Sequence, residues 1–171
     1  HCNSNALYIS NINASIKNNT IKNIGLLPGM ATQGTYHAIH LAATPTGTII
    51  QYNSLDSLGS NGMFIMGNNV TVKNNLINHF GLTTDDCGGI YAAGTSYTGK
   101  VIEGNIILNA WGNTNGLPAS VPAAEGIYID EPSTGNYVVR NVIANGRASG
   151  IKYHNSYSMT CRGNVLYNNA V

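Results

Sequence analysis

Residues 62–77, GMFIMGNNVTVKNNLI, decide the fold. They hold a short apolar strand, a turn, a second β-branched strand and then an asparagine, with no amphipathic stretch long enough for a helix. The same phrase returns as GIYAAGTSYTGKVIEGNII at 89–107, GIYIDEPSTGNYVVRNVI at 126–143 and GIKYHNSYSMTCRGNVL at 150–166. Counting weaker copies, it recurs six times, with strands starting near Leu7, Ile39, Met63, Ile90, Ile127 and Ile151. The asparagines fall at Asn19, Asn53, Asn75, Asn105, Asn141 and Asn164. The strand intervals are 32, 24, 27, 37 and 24 residues, so the longer copies carry loop insertions on a common minimal period. A repeat of this length marks a solenoid.

Leucine-rich, ankyrin and tetratricopeptide arrays need helical or leucine-spaced segments that are missing here. What remains is an all-β chain: a parallel β-helix of about six coils, each adding one strand to two or three parallel sheets. The fixed asparagine has a mechanism in that fold. Stacked at the same bend in successive coils, each amide can donate to the carbonyl above and accept from below, satisfying groups that a buried bend would orphan. Asparagines that merely marked turns would explain their number but not their register.

Only 9% of residues are charged and 20 are glycine, so solubility rests on amides, hydroxyls and exposed turns. The net charge of +1 argues against nucleic-acid or anionic-membrane partners, which call for clustered Lys and Arg. No apolar run approaches the ~20 residues of a membrane span. The chain opens at His1 inside a coil and stops at Asn169-Ala170-Val171 just after a repeat. Residues 1–171 therefore read as one β-helix domain, a fragment whose ends call for additional coils, caps or a neighbouring domain or subunit. The composition fits an exported protein, secreted or at the cell surface. Of three cysteines, Cys161 takes an inward position with Met159 and is expected to act as a small core hydrophobe. Cys2 and Cys87 lie far apart along the stack, which argues against a disulfide.

Function falls to the outward side chains, because alternate residues of a strand point opposite ways. With Met63 and Ile65, Ile90 and Ala92, Ile127 and Ile129 inward, one outward column reads Tyr8, His40, Phe64, Tyr91, Tyr128 and Lys152. The next reads Ser10, Ala42, Met66, Ala93, Asp130 and His154. At the ~4.8 Å spacing of neighbouring strands, five rings would make a continuous exposed stripe. Such a stripe suits an elongated polysaccharide; the competing explanation is cross-strand stacking that stiffens the sheet. His37 and His40 read equally as surface histidines. Apolar outward residues, Phe64 and Met66 among them, look few.

The stripe ends beside a dense ionisable cluster. Five of the seven acidic residues, Asp85, Asp86, Glu125, Asp130 and Glu131, fall here, with Lys152 and His154 on the sixth copy. Asp130 and His154 hold equivalent positions one coil apart and should meet. Glycoside hydrolysis needs two carboxyl groups, roughly 5 Å apart for retention and 6.5–9.5 Å for inversion. Asp130 with Asp86 or Glu131 is the candidate pair, Asp86 qualifying only if the loop 83–88 folds back over the sheet; otherwise Glu131 or Glu125 serves. A lyase would instead use Lys152, His154 or Arg147 as base, with calcium a candidate ligand of Asp85, Asp86 and Glu125. No other metal or cofactor is implied. Asp85-Asp86 also reads as a plain turn before Gly88-Gly89. The loop 113–124 is expected to wall the cleft, with Trp111 at its root as platform or anchor. A non-catalytic binding or structural module, of tailspike or adhesin type, is the competing class.

The repeats resemble those of the right-handed parallel β-helices of the pectate-lyase-like superfamily, over essentially the whole chain. Asp86-Cys87-Gly88-Gly89-Ile90-Tyr91 and Gly126-Ile127-Tyr128-Ile129-Asp130-Glu131 are similar to the D-x-G-[AG]-I-Y and G-I-Y-L-D-[DE] phrases of β-helix glycoside hydrolases acting on plant or algal polysaccharides. That resemblance implies paired catalytic aspartates at Asp86 and Asp130. The same phrases occur in lyases, epimerases and non-catalytic β-helices, and fold alone does not fix function.

Overall fold

The computed structural model describes residues 2–29, 35–43, 45–94, 96–115 and 121–170. Among them eighteen strands form three parallel sheets of six strands each. The first sheet stacks β1 (Leu7–Ile9), β4 (Ile39–Leu41), β7 (Met63–Ile65), β10 (Cys87–Ala92), β13 (Ala124–Ile129) and β16 (Ile151–Tyr153). The second stacks β2 (Ser15–Lys17), β5 (Ile49–Gln51), β8 (Thr71–Lys73), β11 (Val101–Glu103), β14 (Tyr137–Val139) and β17 (Thr160–Arg162). The third stacks β3 (Thr20–Ile24), β6 (Ser54–Leu58), β9 (Leu76–Phe80), β12 (Ile106–Ala110), β15 (Val142–Ala144) and β18 (Val165–Tyr167). Each coil gives one strand to each sheet, so the chain winds as a parallel β-helix of six coils.

The sequence period and the strand register coincide. Leu7, Ile39, Met63, Ile90, Ile127 and Ile151 are paired in one row. The second sheet turns Ile16, Ile50, Val72, Ile102 and Val138 inward, and the third Ile21, Leu55, Ile77, Ile107 and Ile143; all are buried. Each full burial contributes about 1.5–3 kcal/mol of transfer free energy. Cys161 continues the second-sheet row opposite Val138, as expected from its register, and is exposed on the last strand of that sheet among the described residues. All three cysteines are free.

Between the second and third strands of every coil the chain turns on one left-handed residue: Asn18, Tyr52, Asn74, Gly104, Arg140 or Gly163. The ladder asparagine follows it. From Asn19 to Asn164, each Nδ2 donates to the next coil's Oδ1 at 2.9 to 3.0 Å. The same Oδ1 accepts the backbone N–H of the preceding asparagine. The second proton of the interior and last Nδ2 groups goes back to a carbonyl of the preceding coil, Ile16, Ile50, Val72, Ile102 or Val138. Every donor and acceptor at the buried bend is thereby used, as a row of identical side chains allows.

The small residue before each inward Leu, Ile or Met of the first-sheet row is Ala6 or Ala38 in the first two coils and Gly62, Gly89, Gly126 or Gly150 in the rest, and the glycines have a packing reason. A Cβ on Gly62 would lie 2.5 Å from the Gly89 carbonyl, and one on Gly89 would lie 2.8 Å from that of Gly126. This tight step ends the regular alternation and turns the preceding position of each coil onto the outer face. The third sheet adds an outer feature that was not expected: Leu76, Ile106, Val142 and Val165 form one exposed aliphatic row.

Candidate functional site

Strand pairing sets Tyr8, His40, Phe64, Tyr91, Tyr128 and Lys152 side by side on the outer face of the first sheet. Neighbouring ring centroids are 4.7 to 5.3 Å apart. The row is continuous, but it is not the open stripe that alternation suggested. Only Tyr8 is well exposed, at 62%, while Tyr128 is buried at 5%. Phe64 is stacked nearly parallel to His37 and to Tyr91, so its faces meet other rings and its edge meets solvent. Tyr91 and Tyr128 meet edge to face, and the Lys152 ammonium lies 4.6 Å from the Tyr128 centroid. The histidines are not surface groups either. His37 is buried, and half-buried His40 has its pKa lowered by loss of solvent.

Asp130 is where the two outward columns meet. Tyr91 donates its hydroxyl to Oδ2 at 2.6 Å, and His154 Nδ1 lies 2.6 Å from Oδ1. The Glu131 N–H also donates to Oδ1, at 2.8 Å. Outward by register, Asp130 is nonetheless buried under these partners, at 8% exposure. Burial pushes its pKa up, but the hydrogen bonds from Tyr91, His154 and the Glu131 amide outweigh it, so the carboxyl sits below its ordinary range and stays ionised. Burial, together with the negative charge of Asp130 and then of Asp86, pushes the Tyr91 hydroxyl far up. The same two charges act, after burial, on Tyr128.

His154 is held in one tautomer. With Nδ1–H given to Asp130, its Nε2 is the acceptor, 3.3 Å from the Asn155 amide, and more than half of the side chain is exposed. An imidazole oriented by a carboxylate with its second nitrogen turned outward is built to take a proton.

A second acid–base couple stands on the other side of Tyr128. Lys152 Nζ lies 3.0 Å from Glu125 Oε1, and Glu125 is buried at 3%. Its Oε2 is buried without a hydrogen bond among the described residues. Burial pushes the Glu125 pKa up, with Lys152 offsetting part of the rise. The carboxyls of Glu125 on β13 and Asp130 just after it are therefore driven in opposite directions by their surroundings.

Asp86 ends the loop before β10 in a left-handed conformation and is exposed. Its charge reaches Tyr91, Tyr128 and Glu125, so it bears on the same rings as Asp130. With Thr84 and Asp85 it lines a cavity of about 150 Å³ shared with Phe64 and Tyr91. Asp85 is more than a local turn former: its Oδ1 accepts the Ala123 N–H at 2.7 Å, tying two loops together. Glu131 is not brought in as a carboxylate. Exposed and left-handed, it contributes only its backbone N–H. Arg147 is also elsewhere, stacked on the Trp111 ring at 4.4 Å, which makes Trp111 an anchor for that cation. Among the described residues no group of three His, Cys, Asp or Glu side chains is placed to hold a metal, so Asp85, Asp86 and Glu125 do not assemble as a calcium site. Of the loop 113–124, residues 116–120 lie outside the described residues; Asn113 donates its N–H to the Gly81 and Thr84 carbonyls, against the Asp85 loop.

The outer position before this alanine or glycine step was missed from sequence as a row. It reads Asn5, His37, Asn61, Gly88, Glu125 and Ser149, and its members bond along the stack: Asn5 Oδ1 to the His37 N–H, Asn61 Nδ2 to His37 Nδ1, and Asn61 Oδ1 to the Gly88 N–H. The repeated glycine was its only sequence signal. A family model described as a right handed beta helix region matches residues 5–171. No curated protein and no solved structure matches the chain.

Proposed function

The chain belongs to the right-handed beta helix family, and on that premise we propose that its first sheet binds a polysaccharide and cleaves its glycosidic bonds around Asp130. The observation that carries this reading is the convergence on Asp130 of Tyr91 and His154 at 2.6 Å each. Oδ1 is fully used by two donors, while Oδ2 keeps one lone pair beside Tyr91 for a water or a sugar carbon. Hydrolysis needs a second carboxyl group as proton donor. Asp86, whose charge bears on the same two tyrosines, is the candidate partner. Glu125, whose surroundings favour the protonated form, is the alternative acid beyond Tyr128. The reading also makes the protein an exported one, since polysaccharides of this kind lie outside the cell.

Asp130→Asn should lower turnover by about 100-fold or more, the usual worth of a positioned acid–base group. Because asparagine keeps the shape and part of the hydrogen bonding, unfolding in urea should shift by only about 1 kcal/mol. Undiminished turnover would sink the assignment. The substrate screen should follow new reducing ends and the ultraviolet absorbance of unsaturated sugars together.

A second reading has its own support. The outward Nε2 of His154, oriented by Asp130, suits abstraction of the C5 proton of a uronic acid, with Lys152 nearby. Unsaturated product appearing with each new reducing end would favour that elimination, and reducing ends alone would favour hydrolysis.

A further inference from the structure

The cavity of about 150 Å³ beside Tyr91 lies one coil before Asp130. It is smaller than the roughly 300–1,000 Å³ of a pocket for a drug-sized molecule, and it is the size of one sugar ring. Phe64 and Tyr91 supply apolar ring surface, while Ser60, Asn61, Asp85 and Asp86 supply polar atoms around it. An apolar patch rimmed by a few convergent polar groups matches a pyranose, with its C–H face and hydroxyl edge.

The charges of the lining decide which sugar. Asp85 and Asp86 both line the cavity, Asp85 with one oxygen held by the Ala123 N–H, and among the described residues no lysine or arginine lines it. Its one imidazole, His37, has Nδ1 taken by the Asn61 amide, and Asn61 Oδ1 is taken by the Gly88 N–H at 2.6 Å. The Lys152 ammonium is spent on Glu125, and the His154 imidazole is bonded to Asp130. A carboxylate placed in this space would meet two like charges without a counter-ion, in surroundings of reduced dielectric.

We infer that this cavity is a subsite for a single sugar unit without an anionic substituent, a neutral or amino sugar, held next to the bond presented to Asp130. The inference rests on the polysaccharide reading above and narrows it: the unit entering this subsite is not a uronate, which favours hydrolysis over elimination.

The test is binding, measured apart from turnover. Saturation-transfer NMR and titration calorimetry on the whole chain would compare neutral β-linked glucose, mannose and galactose oligosaccharides, a glucosamine oligosaccharide and an oligogalacturonate. At least one neutral or amino series should bind about tenfold more tightly than the oligogalacturonate, and Asp86→Asn should narrow that ratio severalfold. Asp86 is exposed, so this variant keeps the fold. Ser60→Phe, which fills the cavity from its wall, should abolish the preferred binding; a circular dichroism melt checks its folding. Equal or tighter oligogalacturonate binding, or a ratio unmoved by Asp86→Asn, would overturn the inference. Neutral-sugar binding with no cleavage of any polymer would leave the subsite standing and remove the catalytic reading. Cleavage of a polyuronate alone would do the reverse.

Discussion

The asparagine bend and the outer face of the first sheet are built on the same six-coil register, yet they use it in opposite ways. At the bend, one residue type repeats, and each amide is satisfied by its copy in the next coil. On the outer face, one column changes identity from Tyr8 through His40 and Phe64 to Lys152, and its neighbour changes from Ser10 to Asp130 and His154. Repetition makes a scaffold whose polar groups are closed off. Departure from repetition brings unlike groups within bonding distance, and chemistry needs unlike groups.

The sharpest way to break the scaffold side is Asn105→Ala. It strands the Asn75 N–H and Nδ2 and the Val72 carbonyl in a buried bend, at about 1–3 kcal/mol for each unsatisfied group. A total loss of about 4 kcal/mol or more is expected in urea unfolding. Asn164→Ala, at the part-buried end of the row, should cost about 1 kcal/mol because water can replace the amide. Equal losses at the two sites would show that stacking along the row adds nothing.

Lys100 breaks the comparison from inside the core. It lies fully buried at a bend, in line with Thr48 and Val70, and among the described residues its ammonium has no hydrogen bond and lies 5.2 Å from the centre of the Tyr97 ring. Burial lowers its pKa from 10.5 to about 8. The fold thus prefers the neutral amine. The resulting destabilisation is fully present below pH 8 and is relieved as pH rises toward 10.5. Lys100→Met should stabilise the protein by about 3 kcal/mol at neutral pH, and the difference from wild type should shrink steadily above pH 8. A variant no more stable than wild type at pH 7 would refute the account.

A modest effect sharpens the site. Tyr91→Phe removes one donor from Asp130, at about 1–2 kcal/mol for a bond to a charged group. The Asp130 pKa lies below its unfolded value, so the stabilisation it brings is present above the ordinary aspartate range near 3.9 and is lost as pH falls through the lower folded value. The gap between Tyr91→Phe and wild type should therefore close in acid, as unfolding at pH 7 and at pH 3 would reveal. The acid limb of any pH–activity profile should move upward.

What was legible in the sequence was whatever alternation and period control. The parallel coil, the asparagine row, both outward columns and the meeting of Asp130 with His154 follow from counting residues, because parallel register carries the count from coil to coil, while the choice of three sheets over two came from the structure. What failed depends on the third dimension. Whether a ring shows its face or its edge is set by its neighbours' tilt, so Phe64 and Tyr128 came out covered. Asp130 was expected to be open, and the reach of Tyr91 and His154 buries it. The parity of the column reads correctly only up to the glycine step, which hid Glu125's neighbours at Asn61 and Gly88. Loop residues such as Asp85 and Glu131 have no period to read. Lys100 filled an inward slot that apolar patterning reserves for valine or isoleucine.

The asparagine row has a direction. From Asn19 to Asn141 each amide sends one N–H to the next coil, and from Asn53 to Asn164 each side-chain carbonyl faces the coil before. Five hydrogen bonds in series, each polarising the next, make the bend a line of aligned dipoles, positive toward Asn164 and negative toward Asn19. The solenoid consequently has electrically distinct ends with no charged residue in the row, and a rung added at either end would join a chain already polarised to receive it.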